Sequence, residues 1–206
     1  MLGHRCGVRL SDPLTRFIFH PDPDIDVAIL PFNQYMDQLV AEGGPPYLRA
    51  ISPPQMLTTD AALELQSIEQ VIILGYPDGL YDRHNLTPIA RVGTTASPIS
   101  LDYEGHPTFL VDAPVFPGSS GSPVFFLNQS QTNLSLLLLG IVAKVHVRGG
   151  TRNHAATPVR GRGGPGKASH LLDLGIVYKA STIDECMDAA FEANGIELVQ
   201  PPDSDF

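Results

Sequence analysis

Apolar residues along this chain fall into short runs, separated by clusters of Gly, Pro, Asp and Ser. Runs bounded in that way and rich in Val, Ile and Phe read as strands. The pattern predicts strands at 7–10, 16–20, 27–30, 71–74, 89–96, 108–111, 123–127, 134–147 and 175–179. The longest apolar run, 134–145, is interrupted by Ser135, Gly140 and Lys144. It reads as a buried strand and not as a membrane span, which needs about 20 apolar residues. Many short strands between turn signals point to an all-β sandwich or barrel. A helix is expected only at 182–195. Thr182 and Glu185 have the spacing of a capping box, Ile183, Met187, Ala190 and Phe191 share one face, and Asn194-Gly195 supplies a stop.

Two stretches break the strand pattern. Residues 33–56 are rich in Pro, include Gly43-Gly44-Pro45-Pro46, and read as an irregular link between subdomains. Residues 148–170 are rich in Gly and hold Arg148, Arg152, Arg160, Arg162 and Lys167, five of the thirteen Lys and Arg. That composition predicts a mobile, solvated surface loop. The expected organisation is one domain over 1–206. Within it, 1–45 belongs to a first unit, 57–181 mainly to a second, and the helix follows.

Composition narrows the function. The chain has 206 residues, 43% hydrophobic and 17% charged, enough to bury a sizeable core. A net charge of −9 argues against general binding to nucleic acid or anionic membrane. Cys6 and Cys186 are too few for a disulfide framework, and no apolar leader follows Met1. Both features point to a reducing, cytoplasmic location.

The chemistry concentrates at residues 116–125, FPGSSGSPVF. A serine hydroxyl becomes a nucleophile only when a base takes its proton and N–H donors meet the oxyanion that forms. Gly118 would let the backbone turn so that the N–H groups of Gly118 and Ser120 aim the same way. A tight bend made from small residues explains the same stretch equally well. Asp26 opens an apolar strand in DIDVAILP. A carboxylate there would orient an imidazole, or simply end a turn.

Taken in order, DIDVAIL, VIILGYPDG, PGSSGSP and LLGIVAK resemble the trypsin-like serine peptidases, in particular their bacterial, disulfide-free branch. The resemblance implies a chymotrypsin-like double β-barrel with the active site between the barrels. It implies Asp26 as the triad carboxylate, Ser120 as the nucleophile, and Gly118 and Ser120 as the oxyanion hole. Gly140, Ile141, Val142 and Ala143 match the strand that lines the substrate pocket, with Val145 at the pocket mouth and Pro114 at its floor. Neither Val145 nor Pro114 is charged, so no demand for a charged substrate residue is expected. No metal or organic cofactor is implied, and the partner is a peptide or protein substrate.

The sequence departs from that family upstream of Asp26. The family's catalytic His precedes the Asp, and here only His4 and His20 do so. His4 stands close to the first predicted strand and is the candidate base. His20, at a strand end beside a turn, reads as a surface residue. His84, His106, His146, His154 and His170 follow Asp26 and read as loop or surface residues. The opening strands of the first barrel are missing with the His, so that barrel is expected to be incomplete and catalysis impaired. An inactive homologue that binds peptides or a partner protein is the competing reading. An α/β-hydrolase is disfavoured, because Ser122 stands where its Gly-x-Ser-x-Gly elbow needs the second Gly.

Overall fold

Strand closure dominates the computed structural model of the chain, which describes residues 16–43, 48–116, 118–129, 134–147 and 171–193. A short ribbon comes first, β1 (Ile18–Phe19) against β2 (Ala28–Ile29). Six strands then form a closed barrel: β3 (Gln70–Gly75), β4 (Ile89–Thr95), β5 (Thr108–Asp112), β6 (Pro123–Gln129), β7 (Leu134–Val147) and β8 (Leu171–Lys179). Their order around the barrel is β3-β4-β5-β8-β7-β6, and every pair is antiparallel. Closure gives each of the six strands a neighbour on both sides. Alternate residues point inward, as strand geometry requires: Val71 and Ile73 from β3, Phe109 and Val111 from β5. Together with Val124, Leu139 and Val177 they form a core that is fully buried.

The fold is thus mostly β, as the turn-punctuated pattern predicts. In place of a first barrel, the described residues hold only the β1–β2 ribbon.

Helix α1 (Met36–Gly43) and short helix α2 (Thr59–Leu63) were not expected from the sequence. The first corrects the reading of 33–56 as irregular. Met36, Leu39 and Val40 are spaced for one helical face, and Leu39 is buried. The helix ends at Gly43, where the breakers begin. Thr58 caps α2 by accepting the N–H of Ala61 at 3.2 Å.

The C-terminal helix α3 (Ala180–Ala193) follows β8 with no loop. Thr182 is therefore inside the helix, not its cap. Its buried hydroxyl donates to the carbonyl of Lys179 at 2.9 Å. From α3, buried Cys186 packs with Val27 and Tyr178, while Ile183 and Met187 pack on the barrel core. The helix so fastens the β1–β2 ribbon to the barrel.

His20 completes that fastening and corrects its expected surface role. Its side chain is 2% exposed, and Nε2 lies 3.1 Å from Glu185 Oε2 on α3. The N–H of Asp22 donates to its Nδ1 at 3.0 Å. No helix among the described residues is long and apolar enough to cross a membrane. The predicted strand at 7–10, the expected mobile loop at 148–170 and the helix stop at 194–195 lie outside the described residues.

Candidate active site

The Ser120 turn is built on two left-handed glycines. Gly118 has φ 84° and Gly121 φ 80°, a region that side-chain-bearing residues rarely adopt. Between them the two serines face opposite ways. Ser119 is fully buried and Ser120 is exposed. Three N–H groups of the turn bond inward: Ser119 to the Phe116 carbonyl at 3.0 Å, Gly121 to Val142 at 2.8 Å, and Ser122 to Ser119 at 3.0 Å. Among the described residues the N–H groups of Gly118 and Ser120 meet no acceptor. Those are the two donors an oxyanion hole would use.

β7 supplies the facing wall. Gly140 and Ile141 pair on both sides, with β6 and with β8, and Val142 exchanges hydrogen bonds with Gly121 and Ser122. Their backbone groups are taken up within the protein. Of the residues assigned to substrate contact along this strand, only Ala143 and Val145 keep an edge opposite β8. A bulge between Val142 and Lys144 drops Ala143 out of the β8 ladder. Its carbonyl accepts the Ser120 hydroxyl at 3.0 Å.

Asp26 precedes β2 and is exposed. Its N–H donates to the Tyr178 hydroxyl at 3.1 Å, and Tyr178 stands opposite Ile141 in the β7–β8 ladder. Neighbouring Val27 shares an apolar cluster with Tyr178, Ile141 and Ala143. The backbone of Asp26 is thus tied to β8 beside this cluster, and among the described residues no hydrogen bond joins its carboxylate to Ser120. Asp26 lines a cleft of ≈ 410 Å³ with Phe19 and His20, and Ser120 is not part of that lining. A cavity of ≈ 520 Å³ between ribbon and α3, lined by Ile18, Met187 and Phe191, holds no titratable group.

Among the residues whose side chains are described, no imidazole is hydrogen-bonded to Ser120. His20 is committed to Glu185 and Asp22. His84 and His106 are exposed in turns. His146 lies on β7, opposite Leu174. His4, His154 and His170 lie outside the described residues. Pro114 is exposed, with its carbonyl bonded by Nη1 of Arg91. Among the described residues no group of three or more His, Cys, Asp or Glu is placed to hold a metal ion.

Arg91 of β4 is the site residue that the sequence did not reveal. Its Nη2 donates to the buried Ser119 hydroxyl at 3.2 Å. Burial pulls the guanidinium below its ordinary pKa. Gly75, at the end of β3, meets the turn more closely still. A Cβ there would stand 2.1 Å from Ser122 Oγ and 3.1 Å from its Cβ. Ser122 is itself buried. Gly75→Ala is expected to cost about 1–3 kcal/mol by overpacking. Adding Ser122→Gly removes the colliding atoms and should restore most of the loss. Thermal unfolding of the single and double variants checks this, and equal midpoints for Gly75→Ala and the parent would refute the contact.

The sequence profile of a trypsin-like peptidase domain matches residues 8–132. No curated protein matches. Among four matching chains of solved structures is a crystal structure of Rv3671c from M. tuberculosis H37Rv, a serine-to-alanine mutant in an inactive form. It is 18% identical with a TM-score of 0.40, and the match covers 89% of this chain and 66% of that one. This chain therefore spans just under two thirds of that protein's length.

Proposed function

Because the chain belongs to the trypsin-like peptidase family, we propose that it is a serine endopeptidase whose nucleophile is Ser120. The observation that carries the reading is the exposed Ser120 on a turn where, among the described residues, the Gly118 and Ser120 N–H groups meet no acceptor. In the reaction, Ser120 Oγ bonds to the scissile carbonyl carbon and gives its proton to an imidazole. The oxyanion takes the two N–H groups. The C–N bond then breaks, the leaving amine takes the proton, and water hydrolyses the acyl-enzyme. Asp26 orients the imidazole. His4 carries the assignment as base, since His20 has both ring nitrogens occupied. Peptide backbone would lie along β7 at Ala143 and Val145, where Ala143 O must first release the Ser120 hydroxyl. Pro114 and Val145 carry no charge to select a charged substrate residue. Slow catalysis is expected while the Ser120 hydroxyl stays on the Ala143 carbonyl, which is no base. The scarcity of cysteine supports a reducing, cytoplasmic setting.

That same hydrogen bond to Ala143 favours a second reading, a peptide-binding homologue without turnover. Prolonged exposure to a fluorophosphonate, with the adduct mapped by mass spectrometry, separates them. The expected result is slow labelling confined to Ser120 and absent from Ser120→Ala. Labelling of another serine, or equal labelling of the variant, overturns the assignment. No adduct together with saturable peptide binding would select the second reading.

A further inference from the structure

We infer that Arg91 is a positioning residue for the nucleophile turn, gripping it from its buried side so that the Gly118 and Ser120 N–H groups stay turned outward. The inference rests on the peptidase reading only for what the turn does, not for how it is held.

Arg91 stands opposite Ile73 in the β3–β4 ladder and is half-buried. A cation withdrawn from water normally has an acid beside it. The ion pairs among the described residues are His20 with Glu185 and Lys179 with Asp102, and neither involves Arg91. Its two terminal nitrogens go instead to two neutral acceptors of one loop, the Pro114 carbonyl and the Ser119 hydroxyl. Nε is buried without a hydrogen-bond partner. An arrangement that leaves one donor unsatisfied and a charge unpaired is costly. The planar fork puts its two terminal nitrogens on acceptors five positions apart in sequence, with a fixed geometry that a lysine's single nitrogen does not reproduce.

The second acceptor explains the consequence. Ser119 lies between the two residues whose N–H groups would form the oxyanion hole. Its hydroxyl also receives the N–H of Phe116 at 3.3 Å, so it closes the turn from inside. Fixing Ser119 inward forces Gly118 and Ser120 outward. Nη2 of Arg91 meets the turn on its inner side, at the fully buried Ser119 hydroxyl. Its action is on geometry, where a displacement of about 1 Å can cost about 10²-fold in rate.

The test compares Arg91→Met, Arg91→Lys and Ser119→Ala with the parent chain. Amide exchange across 118–122 reports the turn, the maximal rate of Ser120 phosphonylation reports the chemistry, and the thermal midpoint reports the fold. Arg91→Met should speed exchange at 118–122 by about tenfold or more, with β3, β5 and β8 unchanged. It should also slow maximal phosphonylation by about 10–100-fold, without weakening reversible binding of the reagent. Arg91→Lys should recover the midpoint but only part of the rate. Ser119→Ala should act in the same direction more weakly, and Arg91→Met should add less in its background than alone. Should Arg91→Met fail to fold, Ser119→Ala decides by the same readouts. Unchanged exchange at 118–122 in every folded variant overturns the inference, even if Ser120 is phosphonylated. Faster exchange in a protein whose Ser120 never reacts would leave Arg91 as the holder of the turn and remove the peptidase reading instead.

Discussion

Phe109→Ala should destabilise the protein by about 3–5 kcal/mol, the range for emptying a buried aromatic site. Phe109 is fully buried on β5, opposite Val177 of β8, in the cluster with Val71, Ile73, Val124 and Leu139. A barrel closed on six strands cannot collapse readily onto the gap, because each strand is held on both sides. For a chain of this size each kcal/mol moves the thermal midpoint by roughly 2–4 °C, so a fall of roughly 6–20 °C is expected. Phe19→Ala is the matched control. Phe19 is 58% exposed, and its loss should stay within about 0.5 kcal/mol. Calorimetry on both variants checks the pair. Similar midpoints would mean that the core is not centred where β5 crosses β8.

The barrel was legible wherever burial and local pattern agreed. The bounds of β7 match the predicted strand 134–147, β3 is longer than its predicted span by one residue at each end, and β5 by one residue at its C-terminal end. Alternation plus turn residues carries that information, since a strand's burial repeats every two positions. α1 escaped because Gly43-Gly44-Pro45-Pro46 drew the whole neighbourhood into a loop, although Met36, Leu39 and Val40 had helical spacing. The start of α3 differs from its predicted place for another reason. Thr182 and Glu185 form a genuine capping pattern, but β8 runs directly into the helix and leaves no loop to cap.

At the site, what could be read was what glycine and serine must do locally. Two glycines flanking a serine pair predict a turn with φ above zero, and the structure has it at Gly118 and Gly121. What could not be read depends on residues far apart in sequence. Arg91 is an ordinary polar position within a strand until the fold brings Ser119, 28 positions later, against it. His20 looks like a turn residue until α3 brings Glu185 to it across 165 positions. Even the β7 wall depends on distant pairing, because only the pairing of Gly140 and Ile141 on both sides shows that Ala143 is where a free edge starts.

Peptide hydrolysis by the 206-residue chain should lie at or near background. Among the described side chains no imidazole bonds Ser120, and a serine held by a carbonyl instead of a base keeps only what binding and the oxyanion donors provide, about 10³–10⁴-fold over water. The structural basis is specific: Ser120 Oγ donates to the Ala143 carbonyl, and the His20 ring donates to or accepts from partners of its own on both nitrogens. His20→Ala should therefore lower the thermal midpoint, by loosening α3 from the ribbon, and leave Ser120 reactivity unchanged. His4→Ala is the decisive variant. If the parent labels slowly and His4→Ala labels at the same rate, His4 is not serving as base in this chain. If the parent labels rapidly and His4→Ala abolishes it, the triad is His4, Asp26 and Ser120, and Asp26→Asn should then cost about 10⁴-fold by leaving the imidazole in the wrong tautomer. Rapid labelling that survives His4→Ala would mean that another base activates Ser120. Rapid labelling lost only in His20→Ala would mean that the His20 ring leaves Glu185 when substrate binds, which the buried pairing seen here argues against.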